Sequence, residues 1–225
     1  MKRTFVLAVA ASFALTSIAF GHGDVTPQAV NTEALPEVGE EWLTENPYRV
    51  DTIGEDAWTK AIEIGASGFN QNCARCHGLG AVSGGLAPDL RYLEAEEYGD
   101  EWYAERFRTG MTQNGITKMP AFGELLGQKA AWAIRTYVET RPDDGALDEH
   151  FGRLTEIRDH LMSGDVSDAS ELQLELNEIA ISIETGSGAP VADSIAFEAA
   201  RTLSDAPETW KKTADILTVG LPATQ

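Results

Sequence analysis

Apolar positions change their pattern several times along this chain. Behind a short basic start, Lys2 and Arg3, the residues from Phe5 to Phe20 are all apolar or small. That run is shorter than the roughly 20 residues a membrane-spanning helix needs. Ala19-Phe20-Gly21 places small residues where a signal peptidase reads, so residues 1–21 are read as a signal peptide cut after Gly21, with a membrane anchor as the competing reading. Residues 22–56 carry Pro27, Pro36 and Pro47 and little periodicity. They are expected to form an irregular lead-in wrapped on the surface, with a turn of helix around Glu40 to Glu45.

Helical periodicity starts at about residue 57. Ala61, Ile64, Gly65, Gly68 and Phe69 share one face, which predicts a helix from near Glu55 into Cys73. The glycine-rich stretch Gly78 to Pro88 predicts a loop, Glu101 to Arg108 a short helix, and Gly110 to Gly123 another loop. Ala131, Ile134, Tyr137 and Val138 then predict a helix over Gln128 to Thr140, stopped by Arg141-Pro142.

Beyond residue 142 the stripes continue in a different composition. Leu154, Ile157 and Leu161 keep helical spacing, as do Leu172, Leu176, Ile179 and Ile183, with Ser167 or Asp168 as the N-cap. Ile195, Ala199 and Leu203 follow the Gly186-Ser187-Gly188-Ala189-Pro190 break, and Trp210 to Leu217 predict a last helix. Residues 143–225 hold 17 acidic and 5 basic residues. Disorder is the alternative for so acidic a segment, but regular apolar stripes favour a packed helical extension. The expected class is all-α: lead-in 22–56, a functional unit over 57–142, and an acidic extension over 143–225.

Charge narrows the partners. The formal net charge is −19, and losing Lys2 and Arg3 with the first 21 residues makes it −21. Nucleic acid and anionic membrane surfaces would repel such a chain, whereas partners with basic patches would associate faster at low salt. No stretch after the leader is long and apolar enough to span a membrane.

The chain has two cysteines, in Cys73-Ala74-Arg75-Cys76-His77. A bridge between residues so close would stabilise little. Positions i, i+3 and i+4 share a helix face. Two thiols three apart can therefore reach the two vinyl groups on one edge of a porphyrin, and the next residue is carried beneath the iron. This spacing is the attachment signature of haem c. A thioredoxin-like pair would follow a strand, and a zinc site would need more ligands than distant His22, His150 and His160 offer. His22 would become the N-terminal residue after cleavage, where an amine and an imidazole can chelate copper; a flexible terminus is the plainer reading.

With His77 as one axial ligand, Met119 is the expected second metal ligand. It lies in Lys118-Met119-Pro120-Ala121-Phe122, where Pro120 biases it toward extended backbone. Met111 is held in reserve, and core filler is the ordinary role of a methionine. A His/Met pair raises the potential relative to His/His and leaves no open site, which suits single-electron transfer. The Pro88 carbonyl is expected to accept the other ring N–H of His77, with Leu90 packing on the haem. Asp89 is left as a turn residue. Arg91, Tyr92, Trp102 and Arg106 are candidates for the haem propionates, against ordinary packing and surface charge.

In order, Gly65 and Phe69, the Cys-x-x-Cys-His motif, Pro88 with Leu90, Met119-Pro120, and Ile134 with Tyr137 resemble the landmarks of class I cytochromes c over residues 57–142. That resemblance implies an all-α cytochrome c fold whose first and last helices cross at the glycine, with aromatics filling the contact. His22-Gly23-Asp24-Val25-Thr26-Pro27, Asn46-Pro47-Tyr48-Arg49, Phe69 to His77 and Ala87 to Arg91 are further similar to periplasmic cytochromes that accept electrons from PQQ-dependent alcohol dehydrogenases. The resemblance implies a periplasmic carrier, a quinoprotein dehydrogenase as donor, and an oxidase or another cytochrome as acceptor. A haem enzyme or gas sensor with an open or displaceable sixth site is the alternative. The extension over 143–225 departs from those proteins; docking a partner, covering the haem edge or joining two copies are its open roles.

Overall fold

The structure is a computed structural model and describes residues 27–221; the expected signal peptide and His22 lie outside them. Helix α1 is one turn, Val50–Ile53, and Gly54 separates it from α2, Glu55–Asn72. Glu55 and Asp56 place negative charge on the first turn of α2, where the helix dipole favours it. The buried positions Trp58, Ala61, Ile62, Gly65, Gly68, Phe69 and Asn72 form one stripe. It is the face the sequence periodicity marks, and it lies against α5.

Helix α3, Ala74–His77, follows Cys73 directly and stops at Gly78, whose φ is 82°. After a glycine-rich loop and a 3-10 turn at Leu90–Tyr92 comes α4, Glu97–Thr109, a turn longer than the expected Glu101–Arg108. The next stretch departs from the expected loop. β1, Met111–Gln113, and β2, Ile116–Met119, pair antiparallel across Asn114-Gly115. Both turn residues have positive φ, 53° and 73°, as a tight hairpin of this kind requires. The fold remains mainly helical around this small hairpin.

Helix α5, Gly123–Glu139, is broken by Gly127, whose φ is 77°, so the continuous part begins at Gln128 as the pattern predicts. Every residue from Ala130 to Glu139 is buried. A helix covered on all sides is the middle of its core, and two irregular segments join α2 and α4 in covering this one.

One covering segment is the lead-in, irregular as expected but not superficial. Leu35, Asn46 and Tyr48 are buried, and the expected helical turn at Glu40 to Glu45 is a series of bends. Gln128 of α5 fixes this segment: its amide donates to Gly39 O and Glu41 O and accepts from the Leu43 N–H. The Tyr48 hydroxyl donates to Pro36 O at 2.8 Å. Further along, Asn46 Nδ2 donates to Thr136 Oγ1 and Glu139 Oε1, both at 3.0 Å. Arg49 pairs with Asp100 and Glu139, and fully buried Arg135 meets Asp100 at 2.8 Å. Two cations thus balance two carboxylates, which a buried cluster requires.

The acidic extension folds as four helices: α6, Phe151–Ser163; α7, Ala169–Ser182; α8, Ile195–Thr202; and α9, Pro207–Gly220. Leu154, Ile157, Leu161, Leu172, Leu176, Ala199, Leu203 and Leu217 build a second core. Ser194 caps α8 by accepting the Phe197 N–H. Asp168 occupies the N-cap position of α7, yet its carboxylate bonds His160 Nε2 at 2.8 Å instead of capping.

The two cores meet through residues 183–194, another cover of α5. Ser187 Oγ donates to Glu139 O, Ala192 N–H to Thr140 O at 3.1 Å, and Pro142 bridges to Thr185. Phe197 packs against both cores and stands edge-on to Trp58, ring centroids 6.0 Å apart.

Candidate haem site

The crossing of α2 and α5 sets the frame of the site. A Cβ on Gly65 would fall 2.0 Å from Ala133 O, so the two backbones touch where only glycine fits. One turn on, Phe69 packs on Tyr137 with ring centroids 5.5 Å apart. Cys73 N–H donates to Phe69 O at 2.7 Å, so α2 delivers the motif directly from this contact.

Cys73, Cys76 and His77 are all half-buried, gathered on the short turn of α3. Cys73 packs against the first core. Burial there, with Cys76 close by, pushes its thiol up to about 12 when unmodified. Such a thiol is a poor thiolate at neutral pH, which disfavours redox exchange or zinc binding. The motif follows a helix instead of the strand a thioredoxin-like pair would need. Among the described residues no three His, Cys, Asp or Glu side chains gather as a metal set.

The loop after the motif is shaped by glycine and by its own hydrogen bonds. A Cβ on Gly78 would sit 1.9 Å from Val82 O. Ser83 Oγ donates to Ala87 O, Gly85 N–H donates to Ser83 Oγ, and Ser83 N–H donates to Asp89 Oδ2. The folded-back loop brings Pro88 O within 2.9 Å of His77 Nδ1. With Nδ1 engaged, the imidazole offers Nε2 as its free nitrogen. Leu90 lies half-buried against the first core, while Leu79 and Leu86 stay 78% and 65% exposed.

On the hairpin, Met119 is the half-buried methionine, packed against the first core, while its cross-strand partner Met111 is 44% exposed. Gly110 controls this approach, since a Cβ there would lie 2.4 Å from Met119 O. The Asn114-Gly115 dipeptide was the available signal for the hairpin. Met162 lies exposed on α6.

The propionate candidates fare unevenly. Arg91 is only 3% exposed and turns to Asp89, Pro142 O and Asp144. Tyr92 donates its hydroxyl to Asp143 Oδ1 at 2.7 Å, and the Arg106 guanidinium lies 5.7 Å from the Trp102 ring. Asp89 is a turn residue that also caps: its carboxylate accepts the Arg91 N–H and the Ser83 N–H. His150 bonds Ser182 Oγ, and His160 bonds Asp168, both within the extension.

A thiol pair and an imidazole on one turn, a carbonyl fixing the ring, a half-buried thioether and uncovered leucines are a donor set that fits haem c. Comparison with known proteins agrees. Residues 60–138 match the family described as cytochrome c oxidase, cbb3-type, subunit III. Cytochrome c550 of Pseudomonas aeruginosa is 52% identical over 134 residues, covering 60% of this chain and 90% of that protein. Cytochrome c6 of Bryopsis maxima is 31% identical over 84 residues, 37% of this chain and 96% of that protein. Quinohemoprotein alcohol dehydrogenase ADH-IIG of Pseudomonas putida is 34% identical over 86 residues, which span 38% of this chain but only 11% of that enzyme. No solved structure matches.

The chain belongs to the class I cytochromes c. Its cofactor is covalently attached haem c with iron, and it is a monohaem electron carrier. Among the described residues no helix is long and apolar enough to cross a membrane.

Proposed function

We propose that this cytochrome shuttles single electrons in the periplasm, from a quinoprotein alcohol dehydrogenase toward the respiratory chain. In this reading Cys73 and Cys76 would hold the haem as thioethers, and His77 and Met119 would ligate its iron. Leu90 covers it, and Pro88 orients His77. When bound, the haem supplies an iron that alternates between two oxidation states.

The protein's own part is to hold geometry still and water out. The Pro88 carbonyl accepts a hydrogen bond from His77 Nδ1–H, which fixes the tautomer and ring plane and raises the basicity of Nε2. The backbone at Gly110 passes so close that a Cβ there would meet both Met119 O and Ala121 N, so Met119 projects from a tightly packed stretch of chain. The first core surrounds Cys73 and Leu90 with apolar side chains. A rigid, dry site of this kind keeps reorganisation small. The observation that carries the ligand reading is the 2.9 Å contact between His77 Nδ1 and Pro88 O, which leaves one imidazole nitrogen free.

Support for the donor is the quinohemoprotein alcohol dehydrogenase in which a stretch similar to this chain is part of the enzyme itself. The periplasm is supported by the leader pattern of residues 1–21. The test of the partner is the rate at which a purified quinoprotein alcohol dehydrogenase reduces the ferric protein, followed against salt. Fast reduction that slows with salt supports the pairing, and no reduction removes it. Carbon monoxide separates a carrier from a gas-binding or peroxidase-like protein: ready binding to the ferrous form at neutral pH would overturn the carrier reading.

A further inference from the structure

The loop from Gly78 to Tyr92 is tied at both ends to the polypeptide beyond residue 140. At the near end, Arg141 Nε donates to Gly80 O at 3.2 Å, while the same guanidinium pairs with Asp193. At the far end, Arg91 grips the Asp89 carboxylate through Nε at 3.1 Å and Nη2 at 2.8 Å. The same guanidinium reaches Pro142 O at 3.2 Å and Asp144 Oδ1 at 2.8 Å. Tyr92 adds the bond to Asp143. Its ring leaves no space beside Gly186, where a Cβ would fall 2.6 Å from Cδ1. Ala95 N–H donates to Ser187 O at 3.0 Å.

Asp89 is the residue after Pro88, whose carbonyl faces His77. The Pro88 carbonyl lies in the peptide plane that ends at the Asp89 Cα, so anchoring the Asp89 side chain restricts how far that plane can turn. The planar guanidinium of Arg91, with five donors in fixed directions, suits a junction between two carboxylates and a carbonyl. It is almost wholly buried, so its bonds to Asp89 and Pro142 O are largely shielded from solvent and salt, while its partner Asp144 stands at the surface.

We propose that Arg91 is a positioning residue, through which the C-terminal helical unit clamps the loop that orients His77. The acidic extension then acts as a brace for the haem site, with Asp143 and Asp144 as its contact points. The proposal rests on His77 ligating the haem iron and on Pro88 O accepting a hydrogen bond from its Nδ1–H. It differs from a propionate role for Arg91, in which Asp143 and Asp144 would have no part.

The experiment compares the intact holoprotein with Arg91→Gln, Arg91→Lys and the double variant Asp144→Asn with Tyr92→Phe. Asp144 is largely exposed, so the double variant keeps the fold. Proton exchange is read by NMR at the His77 ring N–H and at the amides of residues 78–92. Loss of one charge-assisted bond is expected to speed exchange about tenfold at these sites. Amides of α2 and α5 should stay at the wild-type rate. The expected result is acceleration in Arg91→Gln and in the double variant, with partial recovery in Arg91→Lys.

Wild-type exchange in Arg91→Gln would overturn the proposal. So would acceleration in Arg91→Gln with none in the double variant, because Arg91 would then act only within its own loop or toward the haem. Failure of the underlying ligand reading shows separately: His77→Ala would retain the low-spin spectrum, while the loop amides would still report on the brace.

Discussion

Gly65 and Ala133 touch backbone to backbone: a Cβ on the first would stand 2.0 Å from the carbonyl oxygen of the second. No rotamer relieves a clash with a carbonyl inside a fully covered helix, so the two helices must separate. Gly65→Ala is expected to destabilise the holoprotein by about 3 kcal/mol, the upper range for overpacking. Gly68→Ala meets only the side chains of Ile134 and Val30, at 3.1 Å or more, and should cost clearly less. Denaturant unfolding followed by haem absorbance compares the two.

Replacing Met119 with Ala should abolish the sulfur-to-iron band of the ferric protein, lower the reduction potential and open the ferrous form to carbon monoxide. Met111→Leu, on the exposed strand partner, should leave all three unchanged. A spectrum that keeps its band in Met119→Ala would remove this residue from the ligand set.

Asp89 gives a signed pH dependence. Burial works to raise its carboxyl, but the hydrogen bonds from Arg91 and Ser83 and the Arg91 charge prevail and hold it below the ordinary 3.8. A group lowered in the folded state stabilises fully above its unfolded value and loses that contribution as pH falls through the folded one. The wild type should therefore lose loop protection below about pH 3.8. Asp89→Asn should be less protected at neutral pH and flat across the same acid titration. Amide exchange over residues 78–92 reads both.

Asp100 sits fully buried between Arg49 and Arg135. Asp100→Asn leaves Arg135 with one carboxylate fewer in a closed interior, an uncompensated charge that typically costs about 3–5 kcal/mol. Because Asp100 Oδ2 also accepts the Asn46 N–H, the lead-in should loosen first. Limited proteolysis near residues 36–47 at neutral pH would show cutting well before the haem spectrum changes.

Local pattern carried the parts of the fold that local pattern can encode. The spacing of Gly65, Phe69, Ile134 and Tyr137 marked two helix faces, the resemblance to class I cytochromes c implied that they cross, and the stripes of the extension marked all four of its helices. What stayed hidden depends on partners far away in sequence. Nothing near Asn46 in the chain signals its burial, because its partner Glu139 lies 93 positions later. Arg91 reads as a propionate ligand because Asp143 and Asp144 come from 51 or more positions away. The hairpin was different: Asn114-Gly115 signalled it locally, but exposed, non-alternating strands gave no second cue. Asp168 was found at its cap position, yet His160 drew off its carboxylate, a competition that spacing does not encode.

The enclosure of α5 has a consequence for how the molecule is made. The lead-in and residues 183–194 have little structure of their own, and both are laid down on a helix that lies between them in sequence. Closing such distant loops costs entropy before any contact rewards it. Neither segment has anything to dock on until α5 is in place, so the two ends of the polypeptide close over a core laid down between them.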